Sequence, residues 1–387
     1  MTIRKLCAAL LCACTVLGLV ACGGGKTPPA GTGNMTEGSD VTTRSEETTS
    51  AETFSIEEET TDTALDTVAE DTTEAETVVK DPHPTAKLNL VMAHDQMAER
   101  LVIYDMDAYA EGKTLDDLEL WSVPTGHAAG LKYRENSVFG DVIVVAGSHS
   151  AIYAYPSGEE LWGTDQPGDN PHSVELLPSG NLVIASSTGN TLRLFATSAL
   201  LEGKVGTANH YTDYALTDAH GVLWDPEREV LWALGSHELK AYRLEGEGKR
   251  ETLVEIPDMI YSLPEGKYWG HDLSPDYTDT RYLYITVGAC VLRFDKETGA
   301  FSEDFSHADV LNRTNIKGFS NNPGGSFFAS GETGGAGTDW TDWWKASWCT
   351  DSIYYAYNDE AEGFRVVKLA SSESAFYKIR AFCGRYQ

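Results

Sequence analysis

Short apolar runs separated by polar turns recur through residues 83–387. "DVIVVAGSHSAIYAYPSG", "GNLVIASSTGNTLRLFAT", "EVLWALGSHELKAYRLEG" and "RYLYITVGACVLRFDKETG" each combine an apolar strand, a polar turn and a second, alternating strand. "LNLVMAHDQMAERLVIYDMD" opens the series, and "GSFFASGETGG" is its last unit, interrupted after one strand. Long stretches of helical spacing are few, so the pattern predicts an all-β domain. Residues at one position of the first apolar strand (Ala93, Ala146, Ala185, Ala233, Thr286 and Ala329) lie 39 to 53 residues apart. Four-strand repeats of about 40 to 50 residues mark propeller blades, and six of them predict a six-bladed β-propeller. The first unit lacks an inner strand ahead of Leu88, whereas "AFYKIRAF" at 375–382 belongs to no unit. That C-terminal strand is expected to fill the gap and close the ring without a free edge.

The stretch "PHSVELLPSGNLVIASSTGNTLRLF" at 171–195 resembles a blade of the NHL-type six-bladed propellers. In those proteins a leading histidine or proline is followed by an inner strand, a "dG" turn, an apolar strand, a second turn and an alternating strand. The likeness extends over about 300 residues and departs most in the sixth unit, where the second turn is swollen by an insertion. It implies a fold and no reaction. The chain is also similar to bacterial exported propellers of unknown function, which adds no mechanism.

Ahead of the repeats the pattern changes twice. Residues 1–21 carry Arg4 and Lys5 and then "LCAALLCACTVLGLVA", the charged start and short apolar run of an export signal rather than a membrane span. The run ends in "LVAC", which resembles the bacterial lipobox; the resemblance implies cleavage before Cys22 and a lipid on that cysteine. Residues 22–82 are rich in Thr, Glu and Ser, with too few apolar side chains to bury a core, and are expected to be a disordered linker. The expected domains are thus 1–21, 22–82 and 83–387, giving a protein exported and lipid-anchored to the bacterial cell membrane, facing outward.

The linker holds 15 acids against three bases, and residues 83–387 hold 44 acids against 24 bases, a net of -20. An acidic body on an acidic stalk argues against nucleic acid and against electrostatic docking on anionic lipid, since both need a basic face. The lipid would be the membrane contact, and a monomer is expected. Once the signal is removed, Cys290, Cys349 and Cys383 remain as thiols. Cys349 and Cys383 either pair, both lying in the last repeat region, or stay free and buried.

His172, His220 and His271 lie 13 to 15 residues before their marker positions, so they should occupy equivalent sites on three successive blades and face one channel mouth. The same count falls on Lys132 or Tyr133 in the second blade and near Lys378 or Arg380 on the closing strand. In the sixth it falls on Ile316, and Lys317 joins only if the register slips by one. His94 and Asp95 come from a turn on the same face, and Asp272 follows His271. Three chemistries suit such a ring. The histidines could brace their own blades, as a histidine in the same loop does in WD-type propellers. They could hold a divalent metal in the central channel, with Asp272 behind the outer nitrogens, a reading supported by resemblance to the amidating-lyase propeller. Or, with the lysines, they could seat an anionic group such as a carboxylate or sulfate.

The insertion "GETGGAGTDWTDWWKASWCTDS" at 331–352 holds Trp340, Trp343, Trp344 and Trp348, four of the nine tryptophans. They could form a small satellite core. A wet aromatic surface beside polar residues would instead suit stacking on sugar rings, with Trp269 bringing another indole to the rim. Residues 83–387 contain no P-loop, dinucleotide fingerprint, G-x-S-x-G elbow, HExxH or CxxC motif. The function expected is binding of an extracellular glycan or other polar ligand on the top face of the propeller. The competing readings are a uronate-polysaccharide lyase or metal-dependent propeller enzyme, and a protein-interaction scaffold without chemistry.

Overall fold

A computed structural model describes residues 78–79, 89–110, 112–330, 348–371 and 373–384, all of them in the unit Asp71–Gln387. The expected signal, the lipidation site Cys22 and nearly all of the linker lie outside the described residues.

The described chain forms six antiparallel sheets, and the protein is a six-bladed β-propeller. Blades two to six are four-stranded, with inner strands Ala128–Ser137, Pro171–Leu176, Gly221–Asp225, Gly270–Pro275 and Ile316–Asn322. In the first blade the innermost strand is Phe376–Ala381, from the far end of the chain, paired with Leu90–Asp95 in the register Ala93 opposite Ile379. Each inner strand contacts the next around the ring, and Phe376–Ala381 touches both Ile316–Asn322 and Ala128–Ser137. Closure therefore proceeds as the repeat arithmetic predicts. On the outside of the first blade, Val78–Val79 pair with Trp121 and Ser122, so the ordered unit reaches into the stretch expected to be linker. These two β-branched residues can extend an edge that would otherwise end at Glu119–Pro124.

Strands sandwiched between neighbouring blades are buried on both faces, and this is why "VIVVA" and "LVIA" are continuous apolar runs. Six hydrophobic clusters result, one between each adjacent pair of blades. In one of them Trp121, Ile103 and Leu131 join the first blade to the second. Each large side chain removed from water contributes about 1.5–3 kcal/mol. Near the axis the inner strands crowd. A Cβ on Gly130 would stand 2.8 Å from the His172 carbonyl oxygen, and one on Gly318 would stand 2.8 Å from the Ile379 amide nitrogen. Glycine at these two positions lets the backbones approach where the ring is tightest.

Of the two states open to Cys349 and Cys383, paired or free, the second holds: both are free, with Cys349 buried and Cys383 half-buried. Cys349 packs with Ala375 and Tyr377 at the start of the closing strand, while Cys383 follows its end. A six-residue strand separates its ends by about 20 Å, well beyond disulfide reach.

Candidate functional site

Local geometry decides which side chains reach the channel mouth. Asn170, Asp218, Trp269 and Asn315 all adopt left-handed backbone conformations, with φ of 57°, 51°, 66° and 64°. Each lies two residues before a side chain at the mouth: His172, His220, His271 and Lys317. Asn and Asp tolerate this conformation, whereas for a tryptophan it is strained. In the third and fifth blades the ladder then skips a residue, so that His172 and His271 fall in bulges opposite the second strand. The sixth blade does the same at Lys317, between Ile316 opposite Ser330 and Gly318 opposite Ala329. The bulge supplies the one-residue slip that brings Lys317 into the ring. In the second blade the equivalent bulged residue is Ala129, neither Lys132 nor Tyr133, because Gly130 stands opposite the marker Ala146.

The mouth is a pocket of about 440 Å³ lined by His172, His220, His271, Lys317, Tyr377, Trp348, Cys349, Gln96, Ala129 and Asn170. The rings of His172 and His220 are 4.2 Å apart, and those of His220 and His271 5.8 Å. His172 Nδ1 donates to the Asn170 carbonyl at 2.8 Å and His220 Nδ1 to that of Asp218 at 2.9 Å. The left-handed residue of each turn thus fixes the tautomer and leaves Nε2 as the lone-pair nitrogen. Lys317 Nζ donates to His271 Nε2 at 2.9 Å, which leaves His271 Nδ1 as a buried donor without a partner among the described residues. Burial, together with the neighbouring imidazoles, Lys378 and Lys317, holds these three histidines neutral: His220 is pulled down to about 4, His271 to about 3, and His172 well below the ordinary value. Burial alone brings Lys317 down to about 8.

Beneath the pocket the channel is filled by charge. Glu175 accepts from Lys132 Nζ at 3.0 Å, from Arg134 Nε at 2.8 Å and from the Trp224 amide at 3.0 Å. Asp272 pairs with Arg380 and lies 3.4 Å from Lys378 Nζ, which also donates to the carbonyls of His172 at 2.9 Å and His220 at 3.1 Å. Burial would raise both carboxyls, but their cations outweigh it and hold Glu175 and Asp272 below the ordinary carboxylate range. Burial drags Lys132 to about 7 and Lys378 to about 8 against the pull of those carboxylates.

Several expected site residues turn out to serve the scaffold. His94 is buried, with Nε2 2.9 Å from Thr125 Oγ1 and 2.6 Å from the Gly126 carbonyl; burial pulls it down to about 3. Asp95 accepts from the amides of Met97, Ala98 and Ala375, tying the turn to the closing strand. Asp272 and Lys132 are spent in the ion pairs below the pocket rather than lining it. All four sit where the ring must be joined or where charge must be neutralised, and counting along the chain could not tell those layers from the mouth. Trp269 is exposed, its ring 5.6 Å from that of His237, and it does not line the pocket. Trp348 lines the pocket, whereas Trp340, Trp343 and Trp344 lie outside the described residues. The arrangement does not fit a metal. An ammonium group holds His271 Nε2, and no group of three or more His, Cys, Asp or Glu among the described residues could hold an ion.

Tyr377, Cys349 and Gln96 were not anticipated as lining residues. The repeated left-handed turn-former two positions ahead of His172, His220 and His271 was visible in two of the three cases as Asn or Asp, and Asn315 would have marked Lys317 by the same rule.

A model described as a family of unknown function, DUF6528, matches residues 138–346, more than half of the chain. The chain belongs to that family. The DUF6528 match runs from the first turn of the second blade into the sixth, and so takes in all three histidines and Lys317. No curated protein matches the chain. Among solved structures, a protein of unknown function from Bacteroides caccae is similar at 12% identity and a TM-score of 0.47, covering 76% of this chain and 98% of that one. A functionally unknown protein from Desulfotomaculum acetoxidans is similar at 12% identity and 0.45, covering 78% and 87%. A streptogramin B lyase follows at 11% identity and 0.39, covering 64% and 70%. Membership of DUF6528 assigns no ligand and no reaction.

Proposed function

We propose that this protein is an exported lipoprotein, lipid-anchored at Cys22, whose propeller binds a carbohydrate or other polar extracellular ligand at the channel mouth. The observation that carries the reading is the convergence of His172, His220, His271 and Lys317, from four successive blades, on one pocket that also has aromatic walls in Tyr377 and Trp348. His172 and His220 are each bonded within their own blade, as a brace would be, yet the imidazoles of the third, fourth and fifth blades also stand ring to ring at the pocket, which bracing does not require. The volume of about 440 Å³ is within the range of small-molecule sites, about 300–1,000 Å³. Trp269, exposed two residues ahead of His271, would extend the surface available to a sugar face.

The enzyme reading has one observation in its favour. Lys317 stands 2.9 Å from His271 with its amine brought down to about 8, so its neutral fraction could take a proton made acidic by an adjacent carboxylate, with His271 positioning the amine. Incubation with uronate polysaccharides tests this reading: an unsaturated product absorbing at the short-wavelength edge of the ultraviolet would establish a lyase.

Glycan arrays and thermal-shift screens of the wild-type chain and His220→Ala test the binding reading. Binding of one glycan class that His220→Ala abolishes, with little loss of stability, is the expected result. A His220→Ala protein that binds every wild-type ligand unchanged would return the histidines to bracing. Membrane fractionation of Cys22→Ser tests the anchor, which predicts release of the variant into the soluble fraction.

A further inference from the structure

The channel is out of electrical balance. The basic side chains buried along it are Lys132, Arg134, Lys317, Lys378 and Arg380, and the carboxylates paired with them are Glu175 and Asp272, five against two, although burial draws the amines of Lys132, Lys317 and Lys378 down to about 7, 8 and 8. The two carboxylates are already shared among Lys132, Arg134, Lys378 and Arg380. Lys317 is 8% exposed and has no carboxylate within ion-pair distance among the described residues; among them it donates to the neutral His271. A buried ammonium without a counter-charge is costly, and the cost is relieved by an anion brought to it. The pocket above it is where such an anion can arrive.

Resting on the binding reading above and narrowing its ligand, we propose that the channel mouth is a seat for a single carboxylate or sulfate group, held by the Lys317 ammonium and the imidazoles of His172 and His220. Lys317 gives one hydrogen to His271 and keeps two for an oxyanion. The carbonyls of Asn170 and Asp218 hold the protons of His172 and His220 on Nδ1, so Nε2 accepts a second proton when the anion arrives and then donates to it. The body of the domain carries a net charge of -20, which disfavours a polyanion at long range. One anionic group on an otherwise neutral sugar or similar polar molecule satisfies both conditions.

Binding should then take up protons. The charged and titratable groups facing the seat are Lys317 and Lys378, the three imidazoles, the Asp218 carboxylate 3.4 Å from His220 Nδ1, Asp272 beneath, the Tyr377 phenol and the Cys349 thiol. Burial pushes the phenol and the thiol up, so both are neutral, and Asp272 is ionised throughout. The imidazoles and Lys317 are therefore the groups that gain protons beside an anion, and affinity rises as the pH falls from about 8 to about 6.

The test is a titration of the full chain, labelled with ¹⁵N in histidine, with sodium glucuronate, sodium sulfate and glucose at about pH 8 and about pH 6. Saturable shifts of the His172 and His220 nitrogens by either anion, with glucose at least about tenfold weaker, are expected. Affinity should be several-fold higher at the lower pH, Lys317→Met should abolish the anion preference and Lys317→Arg should restore it. Sulfate acting alone would support a seat for sulfated ligands, and glucuronate alone one for uronates. Glucose shifting the same nitrogens as strongly as glucuronate, with Lys317→Met indifferent, would overturn the anionic seat while leaving the polar-ligand reading intact. No shift from either anion at about 100 mM would overturn it outright.

Discussion

Asp272 offers the sharpest test of how the ring is closed. Its carboxylate is buried, pairs with Arg380 and Lys378 of the closing strand, and accepts from the Phe319 amide of the sixth blade. One side chain of the fifth blade thus ties three inner strands together across the channel. Replacing it with alanine strands a guanidinium and an ammonium in the interior, and removing one partner of a buried pair costs about 3–5 kcal/mol. With about 300 residues in the domain and an unfolding entropy near 2.1 cal/mol/K per residue, Asp272→Ala should melt about 5–8 °C below the wild type. Scanning calorimetry measures this directly. Adding Arg380→Leu should return part of the loss, because the guanidinium is then no longer stranded. The loss should also shrink at alkaline pH. Lys378, already brought to about 8, would fall further without Asp272 and shed its proton in the folded state. An Asp272→Ala protein that melts within about 2 °C of the wild type, or a double variant that loses the sum of both single effects, would refute the claim that this ion pair holds the closing strand.

Three further outcomes are expected. His94→Ala should cost about 2–4 kcal/mol in urea unfolding, because a buried ring bonded to Thr125 and Gly126 is lost, while ligand binding at the mouth stays unchanged. Stability should fall as the pH drops from 6.5 toward about 4: His94, His220 and His271 have folded values of about 3, 4 and 3, so in that window the unfolded chain binds more protons than the folded one. A flat urea midpoint across that range would contradict the neutral imidazoles. Trp269→Gly should change stability by no more than about 1 kcal/mol, since relief of the left-handed strain offsets the lost contact with His237. Glycan affinity should nonetheless drop, and a variant that binds as well as the wild type would remove Trp269 from the site.

Periodicity alone determined the architecture, and it could do so because a propeller blade sandwiched between two others needs continuous apolar strands at a regular spacing. The missing first inner strand and the surplus "AFYKIRAF" could be matched by arithmetic, since an unpaired strand and an unpaired sheet edge are each unfavourable. The grouping of His172, His220 and His271 at one mouth was likewise legible, because equivalent positions in equivalent repeats share an environment. Depth along the channel was not legible. Lys132 and Asp272 lie within a few residues of the mouth, yet they are consumed by Glu175 of the neighbouring blade and by Arg380 of the closing strand, partners that only the packing of inner strands around the channel brings together. Lys317 entered the site through a bulge, a one-residue displacement that the sixth unit's apolar pattern leaves open and that the left-handed Asn315 and the close approach of Gly318 to the closing strand accompany. The surplus of positive charge under the pocket, in a chain whose net charge is -30, exists only in three dimensions: net charge sums over the whole chain, whereas the field at a site is set by the few charges that folding buries beside it.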